Sequence, residues 1–170
     1  MKNMKLMSLP VALVCVISLG FAACGSDDDT KDMTPPVISA EGIEANPINC
    51  QVYHRGETIP FSYLFADDTE LGSYNIEIHN NFDHHSHSTE SDEHEGAECE
   101  DDDDHEHDSA GGRYWVYNES FPIPSGTRSY AARVDIAIPE DIAPGDYHFM
   151  IRLTDRAGWQ QLKAMAIIVE

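Results

Sequence analysis

The chain has 170 residues, with ten basic and thirty-one acidic side chains and a formal net charge of −21 at pH 7. Such a surface repels nucleic acid and anionic lipid and gathers cations around itself. No basic stripe or Gly-rich phosphate loop offsets it, so nucleic acid is excluded as a partner, and the length fits one domain of ordinary size.

At the N-terminus, Lys2 and Lys5 precede an apolar run from Leu6 to Ala23. The run is short for a membrane span, and its flanks suit a secretory signal. It ends in Phe21-Ala22-Ala23-Cys24, which resembles a bacterial lipobox with Phe21 in place of the usual Leu; the resemblance makes Cys24 the lipidated first residue of the mature chain. Ordinary cleavage after Ala23, leaving Cys24 as a free thiol, is the competing reading. Gly25-Ser26-Asp27-Asp28-Asp29 resembles the acidic export signal of Bacteroidetes surface lipoproteins. The expectation is therefore a signal peptide over 1–23, a tether over 24–35 and a domain over 36–170. The protein would be an outer-membrane lipoprotein, surface-exposed or else facing the periplasm, held by acyl chains whose buried CH₂ groups each contribute about 0.8 kcal/mol. Loss of Lys2 and Lys5 leaves eight basic residues against thirty-one acidic ones, a net charge of −23.

An exported chain folds in an oxidising compartment. With Cys15 removed and Cys24 lipidated, Cys50 and Cys99 remain, and they permit one disulfide. A free thiol, or Cys99 as a soft metal ligand between His94 and His105, is the alternative.

Strand-like runs follow the tether: Val37–Ala45, Thr58–Phe65, Ser73–His79, Arg113–Phe121, Tyr130–Ile138, Asp146–Thr154 and Gln160–Val169. Turn chemistry separates them, including Asn46-Pro47, Arg55-Gly56, Asp67-Asp68, Pro124-Ser125-Gly126 and Ala157-Gly158. No segment carries a helical period. The fold class expected is all-β, an immunoglobulin-like antiparallel sandwich of about seven strands, with residues 80–110 as an inserted loop. Ile142-Ala143-Pro144-Gly145-Asp146-Tyr147 resembles the turn into a tyrosine corner, which gives Tyr147 a packing role.

The insertion and its approach break every rule for building a core. Residues 79–110 hold seven of the nine histidines and thirteen carboxylates, with no Lys or Arg. Imidazole nitrogens and carboxylate oxygens are what divalent metals bind; a solvated acidic loop is the bland reading of the same composition. Strand alternation sharpens the first reading. Tyr74, Ile76 and Ile78 point one way, so Glu77 and His79 point outward; Phe149 and Ile151 point inward, so His148, Met150 and Arg152 point outward. If these two strands are antiparallel neighbours, His79 and His148 face one another across them, with Cβ atoms about 4.5–5.5 Å apart. The metal ligands expected are His79 and His148 with Asp83, His84, His85 and His87, and more weakly His94, His105 and His107. The rest of the acidic run has no turn chemistry to shape a cage, and ordering it costs about 1–2 kcal/mol per residue, so it reads as a weak ion buffer. Histidine favours zinc, with copper or nickel as the other candidates, over calcium, whose EF-hand spacing is absent.

Glu70 to His87, including Asn80-Asn81-Phe82-Asp83-His84-His85-Ser86-His87, together with Gly145 to Asp155, resembles an uncharacterised family of Bacteroidetes lipoproteins with an Ig-like domain and an NNFDHHSH-type motif. The resemblance covers roughly residues 35–170 and implies a sandwich and an envelope location, without an activity. No nucleophile elbow, HExxH helix or paired carboxylates in a cleft point to an enzyme. The functional expectation is a metal-binding envelope lipoprotein serving capture, buffering or delivery, partnered with an outer-membrane transporter or another envelope protein. The alternative is an adhesion or glycan-binding lipoprotein, with Tyr114, Trp115, Tyr117 and Trp159 as a sugar-stacking face.

Overall fold

The computed structural model describes residues 31–81, 99 and 112–170. The chain divides into two units between Thr30 and Lys31, and all described residues belong to the second. Eight strands are present among them: β1 (Val37–Ser39), β2 (Gln51–Tyr53), β3 (Thr58–Ala66), β4 (Leu71–Asn80), β5 (Tyr117–Pro122), β6 (Ser129–Ala137), β7 (Gly145–Asp155) and β8 (Gln160–Val169). They form a three-stranded sheet, β1-β3-β6, and a five-stranded sheet, β2-β8-β7-β4-β5. The fold is an all-β sandwich. Among the described residues no helix is long and apolar enough to cross a membrane.

Alternation builds the core. Ile59, Phe61, Tyr63 and Phe65 of β3 are buried while the residues between them are not. Ile76 and Ile78 of β4, Phe149, Ile151 and Leu153 of β7, and Met165, Ile167 and Val169 of β8 meet them from the facing sheet. Phe61 stacks on Phe149 with ring centroids 5.9 Å apart, joining the two layers near their centre. Burying side chains of this size contributes about 1.5–3 kcal/mol each, which is why a period of two is enough to specify the sandwich.

Three boundaries differ from the sequence reading. The first strand stops at Ser39, because a turn follows with Gly42 at a φ of 75°. Residues 113–116 are not continuous strand: Arg113 makes an isolated bridge to Ile142, and the sheet resumes only at Tyr117. Gly112 permits that approach, since a Cβ there would sit 2.4 Å from the Ala143 backbone nitrogen. The eighth strand, β2, pairs parallel with the last strand over three residues, too short for alternation to announce it.

The turn before β7 is locked by Tyr147. Its hydroxyl donates to the Ala143 carbonyl at 2.6 Å, and its ring meets Trp115 edge-on at 5.8 Å. Burial pushes the Tyr147 hydroxyl up to about 12, and does the same to Tyr53, Tyr63 and Tyr74. Each raised value lies above the ordinary value of about 10 that the unfolded chain retains. Between the two, the native state holds more protons than the unfolded one, so stability is full below pH 10 and is lost as the pH rises through about 12. We predict that tyrosine absorbance in an alkaline titration will show these four hydroxyls ionising together with loss of structure. Tyr147→Phe should lower stability by about 1 kcal/mol in denaturant titration, the net worth of one hydrogen bond.

Cys50 and Cys99 form a disulfide across 49 positions of sequence. Closing a loop of that length stabilises the chain by about 4 kcal/mol in the chain-entropy model. Cys50→Ser should therefore lower the denaturant midpoint by the equivalent of several kcal/mol, and added reductant should do the same to the unaltered chain; no change in either would mean that the bridge constrains little.

Candidate metal centre at the end of strands β4 and β7

β4 and β7 are antiparallel neighbours, and their register sets Ile78 against Phe149, His79 against His148 and Asn80 against Tyr147. With Phe149 and Ile78 committed to the core, the period of two turns both histidines to the outer face of the five-stranded sheet. Their ring centroids are 5.4 Å apart and the ring planes cross at 71°. The two imidazoles are thus held side by side by backbone pairing, the most rigid support this fold offers.

Outward direction does not mean exposure here. His148 is 2% exposed and Met150 is 6% exposed, and of the three residues read as outward only Arg152 lies in water. Alternation assigns a side chain to a face but carries no information about what else lies on that face. His79 is half-buried. Its Nδ1 lies 3.3 Å from Glu77 Oε1, and the i, i+2 spacing that puts both on one face of β4 makes this contact local. The sequence reading placed Glu77 outward without giving it a role. The signal was there, because a carboxylate two residues before an outward histidine on a strand is its same-face neighbour.

The β8 strand flanks the pair on its far side. Ala166 is the cross-strand partner of His148, its carbonyl accepts from the Cys50 backbone nitrogen at 2.9 Å, and its own nitrogen donates to Asn49 Oδ1 at 2.9 Å. Cys50 takes a φ of 61°, a left-handed conformation that costs a non-glycine residue about 1–2 kcal/mol. The Ala166 bond and the disulfide to Cys99 hold it there. On the other side, the Asn81 backbone nitrogen donates to the Asp146 carbonyl at 2.8 Å, and Asn81 is itself buried. Asn81 therefore lies at the end of β7's partner strand and Cys99 is bonded beside β8, with His148 on the strand between them.

Asp83, His84, His85, His87, His94, His105 and His107 lie outside the described residues, as does Cys24. Of the expected ligands, the structure brings His79 and His148 together and adds Glu77 behind His79. Of the aromatic residues of the glycan reading, Trp115 lies in the core, Tyr117 packs partly buried against it, and Tyr114 and Trp159 are exposed.

Chemically, two neutral imidazoles side by side can donate two nitrogens to one transition-metal ion. A carboxylate on the remote nitrogen of one ring fixes its tautomer and raises its basicity, as in carboxylate–histidine–zinc arrangements. No curated protein matches the chain. A family model described as a domain of unknown function, DUF4625, matches residues 22–170. The match takes in every strand, and the chain belongs to that family.

Proposed function

We propose that this chain is a cell-envelope lipoprotein of the bacterial outer membrane that binds a divalent transition metal, zinc first, through His79 and His148. The observation that carries the reading is the in-register pairing of these two histidines at a strand end, with ring centroids 5.4 Å apart. Two imidazoles on one tetrahedral zinc, with bonds of about 2.0–2.1 Å, bring their centroids to about 5 Å. Edge-on aromatic pairs span the same separation, so distance alone does not select the metal. Three further features favour it. Glu77 sits on Nδ1 of His79, which leaves Nε2 as the ligating atom. The disulfide fastens the histidine-rich insertion at Cys99, so that its ligands start from two fixed points either side of His148. The insertion adds six imidazoles to the two on the strands, and His84, His85 and His87, with the carboxylate of Asp83, follow His79 most closely.

In this reading Cys24 carries the lipid that holds the domain at the membrane, on the outer surface, and the strand order β1-β3-β6 over β2-β8-β7-β4-β5 supports an immunoglobulin-like module. The acidic run raises the local cation concentration, and the strand-end histidines select among the ions it gathers. The ion is captured, buffered or passed on, with an outer-membrane transporter as the natural recipient.

Calorimetric titration of the full chain with zinc tests the site. His79→Ala and His148→Gln should each weaken the tightest event by about 100-fold or more, and Glu77→Gln by about 10-fold, the range typical of outer-sphere carboxylates. Unchanged affinity and stoichiometry in both histidine variants, at unchanged melting temperature, would sink the proposal. Ligation needs neutral imidazole, so affinity should fall as the pH goes from about 7 to about 5. Retention that is flat across that interval would point to carboxylates alone.

A further inference from the structure

A second group of metal-ligating side chains lies at the opposite end of the sandwich, and it contains no histidine. Asp32, on the segment entering the domain, meets Asp67 and Asp68 in the β3–β4 turn, and one carboxylate oxygen of each lies within 4.8 Å of the others. Asp67 Oδ1 accepts from the backbone nitrogens of Thr69 at 2.9 Å and Glu70 at 2.6 Å, and Asp32 Oδ1 accepts from that of Thr34 at 3.0 Å. Those bonds fix the two carboxylates but use only one oxygen of each. Asp67 keeps some surface in water as a residue, yet its carboxylate is buried, and its Oδ2 has no hydrogen-bond partner among the described residues. The Oδ2 of Asp32 is buried and unpartnered in the same way.

Two carboxylates that each keep a buried, unpartnered oxygen, gathered with an exposed third, ask for a positive charge. No ion pair among the described residues supplies one: the nearby Arg156 is engaged with Glu70 Oε1 at 3.3 Å and Ser125 Oγ at 2.9 Å. Buried acceptors are otherwise almost always satisfied. Behind the group, Asp155 is 4% exposed; its Oδ1 accepts from Gly158 and Trp159, and its Oδ2 is also buried without a partner. The indole of Trp159 closes the arrangement by donating from Nε1 to the Asp32 carbonyl at 3.0 Å.

We infer that Asp32, Asp67 and Asp68 bind a calcium ion that fastens the entering segment to the β3–β4 turn. An all-oxygen set selects a hard cation. Oxygens on calcium, at about 2.3–2.6 Å from the ion, can lie up to about 5 Å from one another, which accommodates the observed spread. Magnesium demands tighter octahedral geometry and keeps its waters, so a set split between a turn and a separate entering segment suits calcium better. The consequence is mechanical: Asp32 lies within the segment 24–35 expected from the sequence to be the tether, so the ion would pin the end of that segment to the β3–β4 turn.

Terbium, which replaces calcium, reports the site through Trp159. Terbium added to the full chain should give tryptophan-sensitised luminescence that calcium displaces and that Trp159→Phe abolishes. Asp68→Asn and Asp32→Asn should each weaken calcium binding at least tenfold; neither residue lies in a strand, and Asp68 is exposed, so the fold is spared. Zinc binding at His79 and His148 should be unaffected in both. Luminescence that survives Trp159→Phe, or calcium affinity unchanged in the Asp32→Asn, Asp68→Asn double variant, would overturn the inference and assign the signal to the acidic insertion.

Discussion

The antiparallel register of β4 against β7 is the constraint on which the rest depends. It pairs Ile76 with Ile151 and Ile78 with Phe149, so each pair commits two large side chains to the same face. A slip of one residue on either strand would send that strand's apolar set outward and drive Glu77 and His79, or His148, into the core. The hydrophobic pattern therefore fixes the histidine pair as a by-product: once the isoleucines are inside, His79 and His148 must be neighbours outside. No ligand-binding loop could hold two imidazoles as firmly without ordering its own backbone.

The remaining histidines depend on a different kind of restraint. Residues 79–110 contribute many imidazoles and carboxylates but almost nothing apolar. Covalent closure substitutes for apolar burial. The disulfide attaches Cys99 to Cys50, and Cys50 in turn is bonded through its backbone to Ala166, the residue beside His148. The bridge therefore ties one position inside the insertion to the neighbourhood of the strand-end pair.

Much of this was legible in the sequence, and the boundary between what was and was not has physical reasons. Period-two alternation marked the long strands because each has one face on the core; Tyr147 was legible as a packing residue from Pro144-Gly145 before it, and it donates to Ala143. β2 was not legible, since three residues paired parallel to β8 leave no period to read. The depth of His148 was not legible either, because alternation gives direction while burial depends on what distant chain is laid over that face. The Asp32, Asp67 and Asp68 group was invisible for a related reason. Asp67-Asp68 reads as turn chemistry, which it is, and nothing in a linear sequence says that a residue 35 positions earlier returns to the same place.

In the proposed reading, the two groups divide metal chemistry along the length of a single strand. β4 starts three residues after Asp68 and reaches His79 near its far end, so about 27 Å of extended chain, eight residues at about 3.4 Å each, separates an all-oxygen end from an imidazole end. Hard and soft ligand sets held that far apart do not compete for one ion, and charge on one is screened from the other at physiological ionic strength, where the Debye length is about 8 Å. The oxygen set lies where the chain enters the domain, and the imidazole set lies where the acidic insertion leaves it. On the two proposals, a strongly anionic module can keep a structural cation where the chain enters the domain while exchanging a transition metal where the insertion begins. Neither task constrains the other, because the rigid sheet between them has only the core to serve.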